Sequence, residues 1–117
     1  NCQYHCKQHP DGMLLKTIGS EPIFTINGTS VLSAQTYTLI EAIEDLKAIG
    51  VKAIRISPQY QHTKQIADVF RKRIDNIIGS DEGLAMLKQT SPQGFCNGWY
   101  WGKAGKEYTG LMLGMKR

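Results

Sequence analysis

The chain has 117 residues, 41% of them hydrophobic and 21% charged, and 14 Lys plus Arg against 10 Asp plus Glu give a net charge of +4. A chain of this length builds at most one domain, and no apolar run approaches the roughly 20 residues that span a bilayer. The mild basicity fits a nucleic acid or a small anion as partner and demands neither; Arg71, Lys72 and Arg73, the densest basic run, read as a solvated helix face.

The chain opens NCQYHCKQHPDG, a polar stretch without the apolar core of a signal peptide, so a cytoplasmic location is expected. It begins with Asn1 and not Met, and reads as a processed chain or a piece of something longer. Cys2 and Cys6 stand in a C-x-x-x-C spacing beside His5 and His9. That spacing lets two thiolates face one ion or cluster, and thiolates suit zinc and iron–sulfur centres. His5 or His9 would in principle complete a zinc site; a pair of free thiols is the alternative. Three cysteines without secretory features argue against a disulfide framework.

Pro10-Asp11-Gly12 is a turn signal, and residues 19–22 form a second break. Residues 23–27 read as a strand rich in β-branched and aromatic side chains, stopped by Gly28. A helix follows in TYTLIEAIEDLKAIG, with Leu39, Ala42, Ile43, Leu46 and Ile49 at helical spacing, Thr38 and Glu41 as a capping box, and Gly50 at the C-terminal cap. Residues 51–57 form a second strand, closed by Pro58. A second amphipathic helix is expected over 62–78, ended by Gly79, and Ser80 caps a shorter helix through Leu87. Beyond Thr90 the chain is rich in Gly and aromatics without a clear period. The expected organisation is a cysteine segment over 1–22, two βα units over 23–90 and a Gly- and aromatic-rich segment over 91–117.

Strand, helix, strand, helix predicts an α/β fold with parallel strands and right-handed crossovers. Two parallel strands do not make a stable sheet unaided, so further strands are expected upstream. Ligands of such folds meet the carboxyl ends of strands. Those positions hold Asn27-Gly28-Thr29-Ser30 and Ser57-Pro58-Gln59, whose Asn, Ser and Gln side chains offer hydrogen bonds to orient a substrate. Arg55 lies inside a strand otherwise fit for burial, where an unpaired guanidinium is expensive. It is either a structural ion pair at a wet strand end or a holder of an anionic ligand. Trp99, Tyr100 and Trp101, near Lys103 and Lys106, suit base stacking, a hydrophobic lid or a subunit contact. Cys96 and Ser33 as nucleophiles, with His62 as base, lack a local signature that joins them. A lone Cys96 is otherwise a small buried hydrophobe or a distant ligand.

The order C-x-x-x-C, Pro-x-Gly, a strand ending in Asn27-Gly28, a Leu32-Ser33 step, a helix, Arg55-Ile56-Ser57-Pro58-Gln59 and finally Cys96-Asn97-Gly98 resembles the C-terminal part of the collagenase-like peptidase family U32, over about residues 2 to 105. Within the family it is most similar to the branch of oxygen-independent ubiquinone biosynthesis. The resemblance implies a TIM-like (β/α) barrel whose last βα units these are. It implies a four-iron, four-sulfur cluster (4Fe-4S) with Cys2 and Cys6 as two ligands and the other two upstream. It also implies a UbiU-like partner protein, and prephenate as a small anionic oxygen donor. Related members hydroxylate RNA, which keeps an RNA partner open, and peptidase activity is doubtful for this branch. An anionic dicarboxylate gives Arg55 a role, with Asn27, Ser57 and Gln59 lining the cavity. A zinc-stapled or metal-free interaction domain with Trp99 to Trp101 as its contact surface is the reading outside enzymology.

Overall fold

The structure is a computed structural model that describes residues 1–110. The expected segment 91–117 is followed to residue 110; the rest of the GLMLGMKR tail lies outside the described residues. The fold is mixed α/β, but its larger sheet is antiparallel. Strands β1 (Met13–Lys16), β2 (Pro22–Asn27) and β3 (Ser30–Ser33) pair in the order β1-β2-β3. This corrects the expected parallel pairing of residues 23–27 with 51–57.

The local cause is turn chemistry. Asn27 pairs with Ser30 around a two-residue turn in which Gly28 takes φ 59°, the positive φ that tight hairpins require. Asn27-Gly28 therefore closes a hairpin and does not open a crossover. Beside that turn, just before β1, Gly12 has φ 84°, and a Cβ there would press on Thr25 and lie 3.0 Å from the Ile26 carbonyl oxygen. Pro22, which has no N–H, opens β2 where the β1–β2 register slips between Leu15 and Lys16. Met13, Leu15, Phe24 and Val31 share one face of this sheet and are exposed.

Strands β4 (Thr36–Tyr37) and β5 (Phe95–Cys96) form a parallel pair. The helices are α1 (Ile43–Ala48), α2 (Thr63–Ile74) and α3 (Ser80–Leu87). A 3₁₀ turn over Ile40–Ala42 leads into α1, so the helix starts later than its apolar spacing suggested. The expected capping box does not form: Thr38 Oγ1 accepts from the Ile40 amide at 3.4 Å, while the Glu41 carboxylate takes the Tyr108 hydroxyl.

Helices α1 and α2 end in the same motif. Gly50 N–H donates to Lys47 O and Val51 N–H to Leu46 O, each at 3.0 Å. In α2, Asn76 N–H donates to Arg73 O and Ile77 N–H to Lys72 O, with Asn76 at φ 57°. These pairs of bonds satisfy the last carbonyls through one left-handed residue, Gly in one case and Asn in the other. Asn76 thus ends α2 before the expected stop at Gly79. Ser80 is the first helical residue of α3 and makes no side-chain cap bond, so Gly79 stands at the cap.

Ile40, Ile66, Val69, Ile78 and Leu87 form the core, with Ile56, Phe70, Leu84 and Phe95 packed against it. Gly83 lets α3 close on this cluster; a Cβ there would come within 2.8 Å of Ile40 Cδ1. Arg73, expected on a solvated face, has a side chain only 8% exposed and pairs with Glu44 at 3.0 Å, joining α2 to α1. Residues 51–57, expected as a strand, join no sheet, and residues 52–58 form no backbone–backbone hydrogen bond among the described residues. The radius of gyration is 15.9 Å, against about 13 Å for a compact chain of this length.

Ile40→Ala is expected to lower stability by about 2–5 kcal/mol, read by urea unfolding, because Ile40 is fully buried where the α1 lead-in meets α3. Glu44 is held below the usual carboxylate range by hydrogen bonds from Lys47 and then Arg73. Its contribution is therefore present above the ordinary carboxylate pKa and fades as pH falls through the lowered value. Glu44→Gln should flatten the acid limb of the stability profile; an unchanged acid limb would exclude that role.

Candidate functional site

Cys2 and Cys6 sit at the start of the described chain as free thiols, Cys2 exposed and Cys6 half-buried. Cys6 lies in a 3₁₀ turn over His5–Gln8. Tyr4, at φ 55°, turns its amide to Cys2 Sγ at 3.4 Å, and Lys7 Nζ lies 4.7 Å from the centre of the Tyr4 ring. His5 Nε2 is 3.1 Å from Gln3 Oε1. No group of three or more His, Cys, Asp or Glu among the described residues is placed to hold a metal ion. The segment thus presents two free sulfur atoms, one exposed and one half-buried.

Two adjacent chambers are lined by residues of the hairpin sheet, of the helices and of the segments between them. The smaller, about 410 Å³, is lined by Asn27, Gln59 and His62 among others. The larger, about 540 Å³, includes Arg55, Ser57 and Gln59. Leu32, Ser33, Thr36, Pro58, Gln59 and Thr90 line both, so the four residues picked from strand ends border two adjacent chambers with a shared wall. The larger chamber is walled by Leu39, Ile43, Leu46, Ile66 and Phe70, with Arg55 the cation among its lining residues. Arg55 is exposed and makes no ion pair among the described residues. A lining of apolar side chains, hydroxyls, amides and one guanidinium can take a small anion with an apolar body.

The candidate nucleophiles are engaged elsewhere. Ser33 Oγ donates to Gln35 O at 2.7 Å. Cys96 is buried, its Sγ lies 3.8 Å from Gln35 O, and burial pushes its thiol up. Burial, then the neighbouring Cys96 and Tyr100, also raises the Tyr37 hydroxyl. His62 borders the smaller chamber. This arrangement supplies no activated nucleophile.

Cys96-Asn97-Gly98 has a structural use. Asn97 Nδ2 donates to Thr109 O at 2.9 Å and its Oδ1 accepts from Thr109 N–H at 2.7 Å, while Asn97 and Gly98 amides both donate to Glu107 O. This clamps residues 98–109 into a loop over which Lys106 pairs with Glu21 at 2.9 Å. Trp99, 77% exposed, lies on Gly105, where a Cβ would strike its ring; Tyr100 and Trp101 meet edge to face at 4.9 Å. The sequence reading missed the Asn97 clamp and the Thr63 hydroxyl that binds both backbone groups of Gln59. A Thr four residues after Gln59, at a helix start, was the available signal. Timed alkylation of metal-free protein at pH 8 should label Cys2 and Cys6 well before Cys96; equal rates would exclude the buried, protonated thiol.

The model of peptidase family U32 matches residues 1–110. No solved structure matches the chain. A match that extends over residues 1–110 of 117 covers nearly the whole sequence, and the chain belongs to peptidase family U32.

Proposed function

We propose that this chain is the C-terminal part of a UbiV-like iron–sulfur protein that assists oxygen-independent hydroxylation of a ubiquinone precursor with a UbiU-like partner. In this reading residues 51–57 are a strand of a TIM-like barrel, and its neighbouring strands supply the backbone partners that residues 52–58 lack. Cys2 and Cys6 hold a 4Fe-4S cluster with two further cysteines upstream. The donor set supports this: both thiols are free, and neither is as buried as Cys96. When bound, such a cluster supplies one-electron chemistry tuned by hydrogen bonds to its sulfurs.

The observation that carries the substrate side is Arg55, the cation in a chamber lining of apolar, hydroxyl and amide side chains, with no ion pair among the described residues. Its guanidinium would take one carboxylate of a donor such as prephenate as a bidentate pair. Ser57 and Gln59 would orient the rest, and Asn27 would reach from the hairpin turn of the adjoining chamber. RNA as the substrate is the second reading, favoured by the exposed Trp99 on a loop that also carries Lys103 and Lys106.

Anaerobic reconstitution of the complete protein tests the ligand assignment. Wild type should take up iron and sulfide with the charge-transfer absorption of a cluster, and the Cys2→Ala, Cys6→Ala variant should not. A full cluster in that variant overturns the assignment. Zinc at unit stoichiometry without iron favours the stapled interaction domain, and RNA binding that weakens steeply with salt favours the second reading.

A further inference from the structure

The loop after residue 57 carries Pro58 and Gln59 to the wall that the two chambers share. Residues 57–61 make no backbone–backbone hydrogen bond among the described residues. Instead one side chain holds the loop. Thr63, the first residue of α2, accepts from the Gln59 amide at 2.9 Å and donates to the Gln59 carbonyl at 2.8 Å. A hydroxyl has one proton to give and lone pairs to receive, so this closed pair uses it in both directions and fixes the Gln59 residue against the helix end. Pro58 has no N–H and restricts its own φ, so it offers no backbone donor of its own to hold the loop. Thr63 lines neither chamber.

We propose that Thr63 is a positioning residue of the cleft: its hydroxyl holds the Gln59 backbone where Ser57 and Gln59 face a bound small dicarboxylate, without touching that ligand. The proposal rests on the anion-binding reading above. Without the hydroxyl, the Gln59 N–H and C=O turn to water, and the loop spends part of its time away from the closed arrangement. Apparent affinity then falls by the fraction of molecules left in the competent state.

The test is prephenate titration calorimetry on the complete protein, comparing wild type with Thr63→Val and Thr63→Ser. Valine keeps the shape and removes the hydroxyl; serine keeps the hydroxyl. Thr63→Val is expected to weaken binding about tenfold, the scale of one or two lost hydrogen bonds, with the binding stoichiometry unchanged. Thr63→Ser is expected to bind within about threefold of wild type, since it retains both bonds. A valine variant with wild-type affinity, or one that loses stoichiometry and not affinity, overturns the positioning role. So does a serine variant as weak as the valine one. Wild-type protein that binds no prephenate removes the anion reading itself, a failure visible before any variant is made.

A second measurement needs no variant. If the ligand binds only the closed loop, prephenate at about ten times its Kd should slow exchange of the Gln59 amide proton about tenfold. Unchanged exchange in a protein that binds prephenate overturns the proposal.

Discussion

Backbone N–H and C=O groups must find partners, and in a run that joins no helix the economical partner inside a larger fold is another strand. Residues 52–58 leave both sets of groups without backbone partners among the described residues. Much of the architecture follows from that constraint. The segment spans the gap between α1 and α2, touches the core through Ile56, and leaves Val51 and Ile54 exposed. The larger chamber lies along it, and Arg55 makes no ion pair among the described residues. An exposed apolar run with open edges is stable chemistry only where something pairs with it or covers it.

Around this open segment the packing is conventional. Ile40 sits at the centre, Gly83 allows α3 to close on it, and the Arg73–Glu44 pair joins α2 to α1. Arg73 Nε is buried without a hydrogen-bond partner, a cost that the Glu44 and Asn76 contacts of the same guanidinium partly offset. The loop over residues 97–109 is held by a polar clamp at Asn97 and by the Tyr108 hydroxyl on Glu41, so its aromatic side chains need not be buried to be ordered.

Helices were legible in the sequence because their apolar spacing is local: Ile66, Val69 and Phe70 face the core as the period requires. Their ends were harder. A left-handed Asn is a weaker signal than Gly, and Asn76 stopped α2 before Gly79. The antiparallel sheet was missed because β1, with its MLLK sequence, and β3, with SVLS, are short, and neither reads as a strand until the Asn27-Gly28 turn is taken as a hairpin. The rule of strand ends led to Asn27, Arg55, Ser57 and Gln59, which line the two chambers, although only one of the two runs is a paired strand. Thr63 was not, because its role depends on a loop conformation that no periodicity encodes.

The barrel proposal and the cleft share one premise, that residues 52–57 pair with strands outside this chain. Amide hydrogen exchange resolved to that segment measures it directly. In the complete protein these amides should be strongly protected, and in the separate 117-residue chain they should exchange as open backbone does. Fast exchange of residues 52–57 in the complete, folded protein would contradict the account.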